Sequence, residues 1–258
     1  MSLGAGAPSF AAMTLPDFVA SDIHLGAVPD TTERRFVRFL EHAGANANAL
    51  LLPGDVFDFW FEYGPVIPGK HFRVLGALAA LTDAGVPVTM IGGNHDAWGG
   101  AFLRDEVGIR FETGLVTMRL GGREALIAHG DGLGAGDLRY RVLKRTLRSR
   151  ATIALFRAIH PEIGMRIARA VSRTDTRAAG TVESAGRSRF LDSWAEAQLA
   201  ARPELSYVVC GHSHAPWLRE VEPGRWYINA GDWIHHFSYV MVPPDGPPRL
   251  QYWEGHPG

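Results

Sequence analysis

The chain of 258 residues contains a single cysteine. One thiol excludes a disulfide scaffold, a thiolate-rich zinc finger and an iron–sulfur centre. Long apolar runs are missing as well, since none approaches the ~20 residues that a membrane span needs. Residues 1–13 have neither the basic start nor the extended apolar stretch of a secretory leader. Residues 1–16 are therefore expected to be a disordered tail before a single domain over 17–258, and the expected compartment is the cytoplasm. Net charge is nearly absent too, at −1, yet this hides an asymmetry. Between Asp137 and Arg189 twelve Arg and one Lys face four acids, a local excess of nine. Such a block suits an anionic partner, a phosphate or an anionic membrane surface, or simply a solvated helical face.

What is present is an alternation of strand and helix patterns. Apolar runs predict strands at Asp17–Ser21, Ala49–Leu52 and Val86–Ile91. Helices are expected from Thr31 or Thr32 to Ala43, with Phe36, Phe39, Leu40 and Ala43 on one face, and from His71 to Ala84 before Gly85. Leu115–Leu120 and Glu124–Ala128 read as a hairpin joined at Gly121-Gly122. Asp137 to about Ala201 is helical in pattern and carries the basic block. Strands then resume at Ser206–Cys210, Trp226–Asn229 and Phe237–Val242, with a last short strand near the end. Continuous apolar strands alternating with helices predict an α/β fold with a covered sheet. The helical stretch, about 133–203, reads as a cap inserted into it.

Five segments share one design, an apolar strand followed by an abrupt turn rich in Gly, Asp, Asn or His. They are Ser21-Asp22-Ile23-His24, Gly54-Asp55-Val56-Phe57-Asp58, Gly93-Asn94-His95-Asp96, His129-Gly130-Asp131 and Gly211-His212-Ser213-His214. In open α/β sheets ligand sites gather at the carboxyl ends of strands. Residues i and i+2 of an extended chain point to one side, so Asp22 with His24, and His212 with His214, can each grip from a strand end. Carboxylate oxygens and imidazole nitrogens without thiolates suit Mn, Fe, Zn and similar divalent ions. Seven candidate ligands follow: Asp22, His24, Asp55, Asn94, His129, His212 and His214. Seven is too many for one tetrahedral ion and fits two ions sharing a carboxylate, for which Asp55 is the expected bridge.

In this order the motifs D-x-H, G-D-x-x-D, G-N-H-D, H-G-D and G-H-x-H resemble the signature of calcineurin-like metallophosphoesterases. The resemblance implies a four-layer αββα sandwich with a helical cap insertion, a two-metal centre and hydrolysis of phosphate esters or anhydrides. Gly54–Pro68, Gly93–Trp98, His129–Asp137 and the helical insertion through Leu155–Pro161 and Ser172-Arg173 are similar, more narrowly, to the UDP-2,3-diacylglucosamine diphosphatase family of lipid A biosynthesis. That likeness spans about Phe18 to Trp233. It implies a glycolipid nucleotide substrate, cut at its pyrophosphate to UMP and the acylated sugar 1-phosphate. Some branches of that family carry Arg where this chain has His95. The implied cofactors are two divalent ions, with Mn²⁺ expected and Fe, Zn, Co or Ni suited to the same donors.

Two such ions lower the pKa of a water toward neutrality for in-line attack on phosphorus. Asn94 then binds one ion and helps position the phosphate. His95 either protonates the leaving oxygen or supports the phosphoryl charge, with Asp58 as its orienting partner. Asp96, Asp131 and Asp232 are expected to fix loops or ligand imidazoles. His42, His71, His160 and His256 read as surface or helix histidines, and His235 and His236 as loop residues. Asp137 and Tyr140 follow H-G-D and are expected to line the cleft, walled by the run Phe57, Phe59, Trp60, Phe61 and Tyr63. Arg157 and Arg173, with Arg166 and Arg169, are candidate anion contacts. Leu155, Phe156, Ile159, Ile163, Ile167 and Val171 either hold acyl chains or pack the insertion onto the sandwich. A different calcineurin-like nucleotide hydrolase is the alternative, although a compact one needs no basic, apolar-faced cap. A non-catalytic scaffold would be expected to have lost ligands, and none is lost. Nucleic acid is not an expected partner, because no aromatics for base stacking are interleaved with the arginines, and no obligate protein partner is evident. Contact with the inner membrane is expected to be peripheral.

Overall fold

Strands that are apolar on both faces must be covered on both faces, and the computed structural model shows how this chain does it. The structure describes residues 14–64, 66–133, 138–171 and 182–255. Chain order is β1 (Asp17–Val19), α1 (Asp30–Asn46), β2 (Ala49–Leu52), α2 (Phe72–Asp83), β3 (Val88–Gly92), β4 (Arg110–Thr113), β5 (Val116–Leu120) and β6 (Arg123–Ile127). Four helices follow, α3 (Leu138–Leu147), α4 (Arg150–Arg157), α5 (Pro161–Val171) and α6 (Val182–Ala201). The chain closes with β7 (Tyr207–Cys210), β8 (Trp217–Glu222), β9 (Arg225–Asn229), β10 (Ser238–Val242) and β11 (Arg249–Tyr252).

The strands form two sheets, ordered β11-β10-β1-β2-β3-β4 and β5-β6-β7-β9-β8. In the first, β1 to β4 run parallel and β10 and β11 are antiparallel additions. In the second, β6, β7 and β9 are parallel and the edges β5 and β8 antiparallel. Alternation along each strand divides its side chains between two layers. Val19, Leu51 and Ile91 meet Ile127, Val209 and Ile228 between the sheets. Phe18, Leu50 and Leu52 turn the other way, onto Phe36, Phe39 and Leu40 of α1 and Val74, Leu75 and Leu78 of α2. On the far face of the second sheet Leu126, Val208 and Tyr227 meet Leu191, Ala195 and Leu199 of α6. The result is helix, sheet, sheet, helix. Within the stretch expected as a cap, the second half of α6 is thus the outer layer of the sandwich.

Phe39 is the densest point of the first core, with the rings of Phe18, Phe36, Trp233, Tyr239 and Trp253 all centred within 6.2 Å of its own. Phe39→Ala is expected to cost about 3–5 kcal/mol, visible as a lower urea midpoint at unchanged slope.

Several boundaries differ from expectation for local reasons. Helix α1 starts at Asp30 after Pro29, not at a threonine cap. The long helical pattern is divided: the Ser149 hydroxyl accepts from the Thr152 amide to begin α4, and Pro161 begins α5. Strands β4 and β8 lack an apolar run because they are edge strands with charged, exposed residues. Of the expected tail, residues 1–13 lie outside the described residues, whereas the Pro16 carbonyl accepts from the Asn48 amide at 2.9 Å and starts β1 in register.

Candidate metal centre

All five motifs end strands of the two sheets at one edge of the sandwich. Asp22 and His24 follow β1, Asp55 follows β2, Asn94 follows β3, His129 follows β6, and His212 and His214 follow β7. The side chains form two groups. In the first, His24 Nε2 and His214 Nε2 face each other at 3.2 Å, and Asp22 Oδ1 lies 3.5 Å from the latter. In the second, His129 Nε2 lies 3.1 Å from Asp55 Oδ2 and 3.1 Å from Asn94 Oδ1, and His212 completes the group. Asp55 Oδ2 is also 3.8 Å from His24 Nε2, so one oxygen reaches both groups. One donor atom from each of Asp22, His24 and His214, and likewise from each of Asp55, His129 and His212, lies within 4.8 Å of the others. Imidazole nitrogens and carboxylate oxygens converging on common points, without a thiolate, fit two divalent cations.

The backbone bends to achieve this. Asp22, His24, Asp55, His212 and His214 have φ between 51° and 66°, in the left-handed region. Among the described residues only Phe237 and Glu254 share that feature outside glycine. Each such residue costs roughly 1–3 kcal/mol, and strain of this kind concentrates at functional sites. Two glycines make room: a Cβ on Gly93 would collide with Asp55 Oδ1, and one on Gly54 with His129 Nδ1.

A second row of groups aims the first. The His95 amide donates to Asp55 Oδ1 at 3.0 Å, which leaves Oδ2 for the site. The His212 amide donates to both oxygens of Asp22, at 3.0 and 3.1 Å. His129 Nδ1 donates to the Pro53 carbonyl at 2.9 Å, so Nε2 is the nitrogen left facing Asp55 and Asn94. Asp96 accepts from the amides of Asp55, Val56, Phe57 and Gly93 and ties two motif loops together. Asp232 lies behind the first group, with Oδ2 3.6 Å from His214 Nδ1 and Oδ1 taking the amides of Ile234, His235 and His236. His95 Nδ1 donates to the Asp58 carbonyl at 3.1 Å and lies 3.5 Å from the Asp58 carboxylate, which stands 3.8 Å from His24 Nδ1.

The electrostatics are those of a buried anionic pocket. Burial disfavours charge on His129, but the Asp55 carboxylate outweighs it and pushes the imidazole up to about 10. His24 is raised in the same way, burial being outweighed by the hydrogen bond to Asp58 and the charges of Asp55 and Asp22. Asp55 sits well below the usual carboxylate range despite its burial, held there by His129, His95 and His24. Burial and the neighbouring Asp55 charge push Asp96 up to about 6 against its backbone donors. Asp232 is lowered, burial being overcome by His214, His236 and the backbone amides. The pocket attracts positive charge strongly.

Around this centre the expectations divide. Asp137 and Arg173 lie outside the described residues. Tyr140 is in α3 and Arg169 and Val171 in α5, but their side chains are outside the described ones. Arg157 ends α4, exposed, and Arg166 pairs with Glu162 at 2.8 Å. Phe57 and Trp60 do not wall a cleft; their rings belong to the core against α1 and α2. Phe59, Phe61 and Tyr63 instead form a cluster with Trp98 and with Phe156 of α4. Phe156 therefore packs the cap down, while Leu155, Ile163 and Ile167 are 71%, 52% and 42% exposed. His71 is not a surface residue: it is buried on Phe57, with Nδ1 2.9 Å from Glu33 Oε2. Glu62, unmarked by any motif, is buried and accepts from Trp60 Nε1 and the amides of Gly100, Phe102 and Leu103.

Residues 18–216 match the family model described as calcineurin-like phosphoesterase. The chain belongs to that family. This phosphoesterase is also similar to curated proteins along nearly their whole length. It is 31% identical over 242 residues to the UDP-2,3-diacylglucosamine hydrolase of Porphyromonas gingivalis, covering 87% of this chain and 92% of the relative. It is 31% identical to the UDP-2,3-diacylglucosamine hydrolase of Klebsiella pneumoniae, with 88% and 95% covered, and 29% identical to that of Vibrio vulnificus, with 88% and 93% covered. Among the described residues no helix of the phosphoesterase is long and apolar enough to cross a membrane.

Proposed function

We propose that this phosphoesterase hydrolyses the pyrophosphate of UDP-2,3-diacylglucosamine to UMP and 2,3-diacylglucosamine 1-phosphate. The observation that carries the reading is the match to hydrolases of that name along nearly the full length of both chains, with all seven candidate ligands in two groups. Asp22, His24 and His214 hold one divalent ion, and Asn94, His129 and His212 the other, with Asp55 between them. Mn²⁺ is the favoured ion, since carboxylate, amide and imidazole donors suit it. Bound there, the two ions supply Lewis acidity and a water of lowered pKa.

The chain's own residues do the rest. Asn94 stands at the edge of its group, where its amide also orients the phosphate. His95, anchored through Nδ1 on Asp58, presents Nε2 to the leaving oxygen. The exposed aliphatic side chains of α4 and α5 receive the acyl chains, and the cap arginines, Arg157 and Arg173 among them, meet the diphosphate or an anionic bilayer. Asp137 and Tyr140 complete the substrate-binding residues of this reading. Such a surface supports cytoplasmic placement with peripheral contact to the inner membrane.

The test is turnover of UDP-2,3-diacylglucosamine by the Mn²⁺-loaded protein, with products read by mass spectrometry. Metal-dependent release of UMP is expected, with much lower kcat/KM for UDP-glucosamine lacking acyl chains. Equal turnover of the unacylated nucleotide would move the assignment to a general nucleotide pyrophosphohydrolase.

A further inference from the structure

The cap rests on the metal-bearing loops through two cations that belong to no motif. Lys144 Nζ, from α3, lies 2.7 Å from Asp131 Oδ2 and donates to the Asp131 carbonyl at 3.2 Å. Arg148, in the turn after α3, donates through Nη2 to the Gly93 carbonyl at 2.7 Å and stands 3.9 Å from the same Asp131 carboxylate. Trp98 Nε1 donates to the Leu147 carbonyl between them at 3.2 Å. The Asp131 side chain is 3% exposed and the Lys144 and Arg148 side chains 23% and 21%, so these contacts are well shielded from water and salt.

The two loops they grip matter more than the number of contacts. Gly93 immediately precedes Asn94, and Asp131 follows His129 by two residues. Asn94 and His129 touch each other at 3.1 Å and share the group that includes Asp55 and His212. The other group, Asp22, His24 and His214, is steadied from a different side by Asp232 and the His212 amide. We propose that Lys144 and Arg148 are positioning residues that set the Asn94–His129 half of the centre from the cap, so that seating the cap completes one metal position and leaves the other untouched. The inference rests on the two-metal reading of the centre and not on the identity of the acylated substrate.

A cation pair that merely staples the cap would change stability and leave the two metal positions alike. The experiment is equilibrium Mn²⁺ binding to the full chain, followed by electron paramagnetic resonance of free and bound ion, for wild type, Lys144→Met, Arg148→Lys and the exposed control Arg145→Ala. Wild type and control are expected to bind two ions. Each clamp variant is expected to lose about 10–100-fold in affinity at one position, to keep the other within twofold, and to lose the spin-coupled pair signal at Mn²⁺ levels that saturate wild type. Lys144→Arg is expected to restore it. Unchanged affinities, or equal weakening at both positions, would overturn the proposal. Circular dichroism verifies folding, and should Lys144→Met fail to fold, Arg148→Lys, which keeps charge and stem, decides alone. Failure of the wild type to cleave the acylated substrate would sink the substrate reading and leave this measurement standing.

Discussion

Asp55→Ala is expected to lower turnover by at least about 1,000-fold, which is about 4 kcal/mol of transition-state stabilisation, and to reduce bound Mn²⁺ from two ions to one or none. The reason is geometric. Asp55 Oδ2 reaches His129 Nε2 at 3.1 Å and His24 Nε2 at 3.8 Å, so a single oxygen serves both groups. Its other oxygen is held by the His95 amide, in the space that the missing Cβ of Gly93 leaves. The same change is expected to make the metal-free protein less stable at neutral pH, since a carboxylate held below its ordinary range stabilises the fold when ionised. Burial and the Asp55 charge push Asp96 up to about 6, but Asp55 itself is held, despite its burial, well below the usual carboxylate range by His129, His95 and His24, so its attractions outweigh that repulsion. Removing Asp55 leaves the buried His129 imidazole, which that carboxylate pushes up to about 10 against burial, without its counter-charge. Thermal melts with excess chelator and metal titrations of wild type and variant check both halves. An active Asp55→Ala with two bound ions would remove Asp55 from the bridging position.

Local packing, and its violation at the site, explains what was legible in the sequence. The candidate ligands could be read because nothing in strand packing calls for Asp-x-His or Gly-Asn-His-Asp after an apolar run, and the strained φ angles show the fold accommodating them against local preference. Buried strands such as β2 and β7 could be read because both their faces are covered, which leaves a continuous apolar run. Edge strands β4 and β8 could not, since half their side chains face water. The grip of Lys144 and Arg148 on Asp131 and Gly93 left no mark in an Arg-rich stretch where eleven other cations look alike. His71 deceived for the opposite reason. An isolated histidine at a helix start looks exposed, and only the fold brings Glu33 to its Nδ1, 38 positions away. The run from Phe57 to Tyr63 was legible as aromatic but not as divided, because it follows no regular period. Phe57 and Trp60 turn to the core while Phe59, Phe61 and Tyr63 turn to the cap.

His95 offers the second large effect, and its size is expected to depend on what departs. With Nδ1 committed to the Asp58 carbonyl at 3.1 Å, the ring meets a leaving oxygen through Nε2. A general acid contributes about 10²–10⁴-fold, most where the leaving oxygen is most basic. His95→Ala is therefore expected to lower kcat only about threefold for a nitrophenyl phosphodiester and by a similar factor for a pyrophosphate, whose leaving phosphate is no more basic, but toward 10⁴-fold for an alkyl phosphodiester. Asp58→Ala is expected to reproduce about a tenfold part of the loss, because the backbone carbonyl still holds the ring when the carboxylate 3.5 Å away is gone. Steady-state kinetics at saturating Mn²⁺ over the three substrates give the slope of log kcat against leaving-group pKa. A steeper slope in the variant than in wild type makes His95 a proton donor. Parallel slopes with a constant offset would make it a fixed donor to the phosphoryl oxygens instead, and His95→Arg, keeping a hydrogen-bond donor without a transferable proton, would then recover most of the rate.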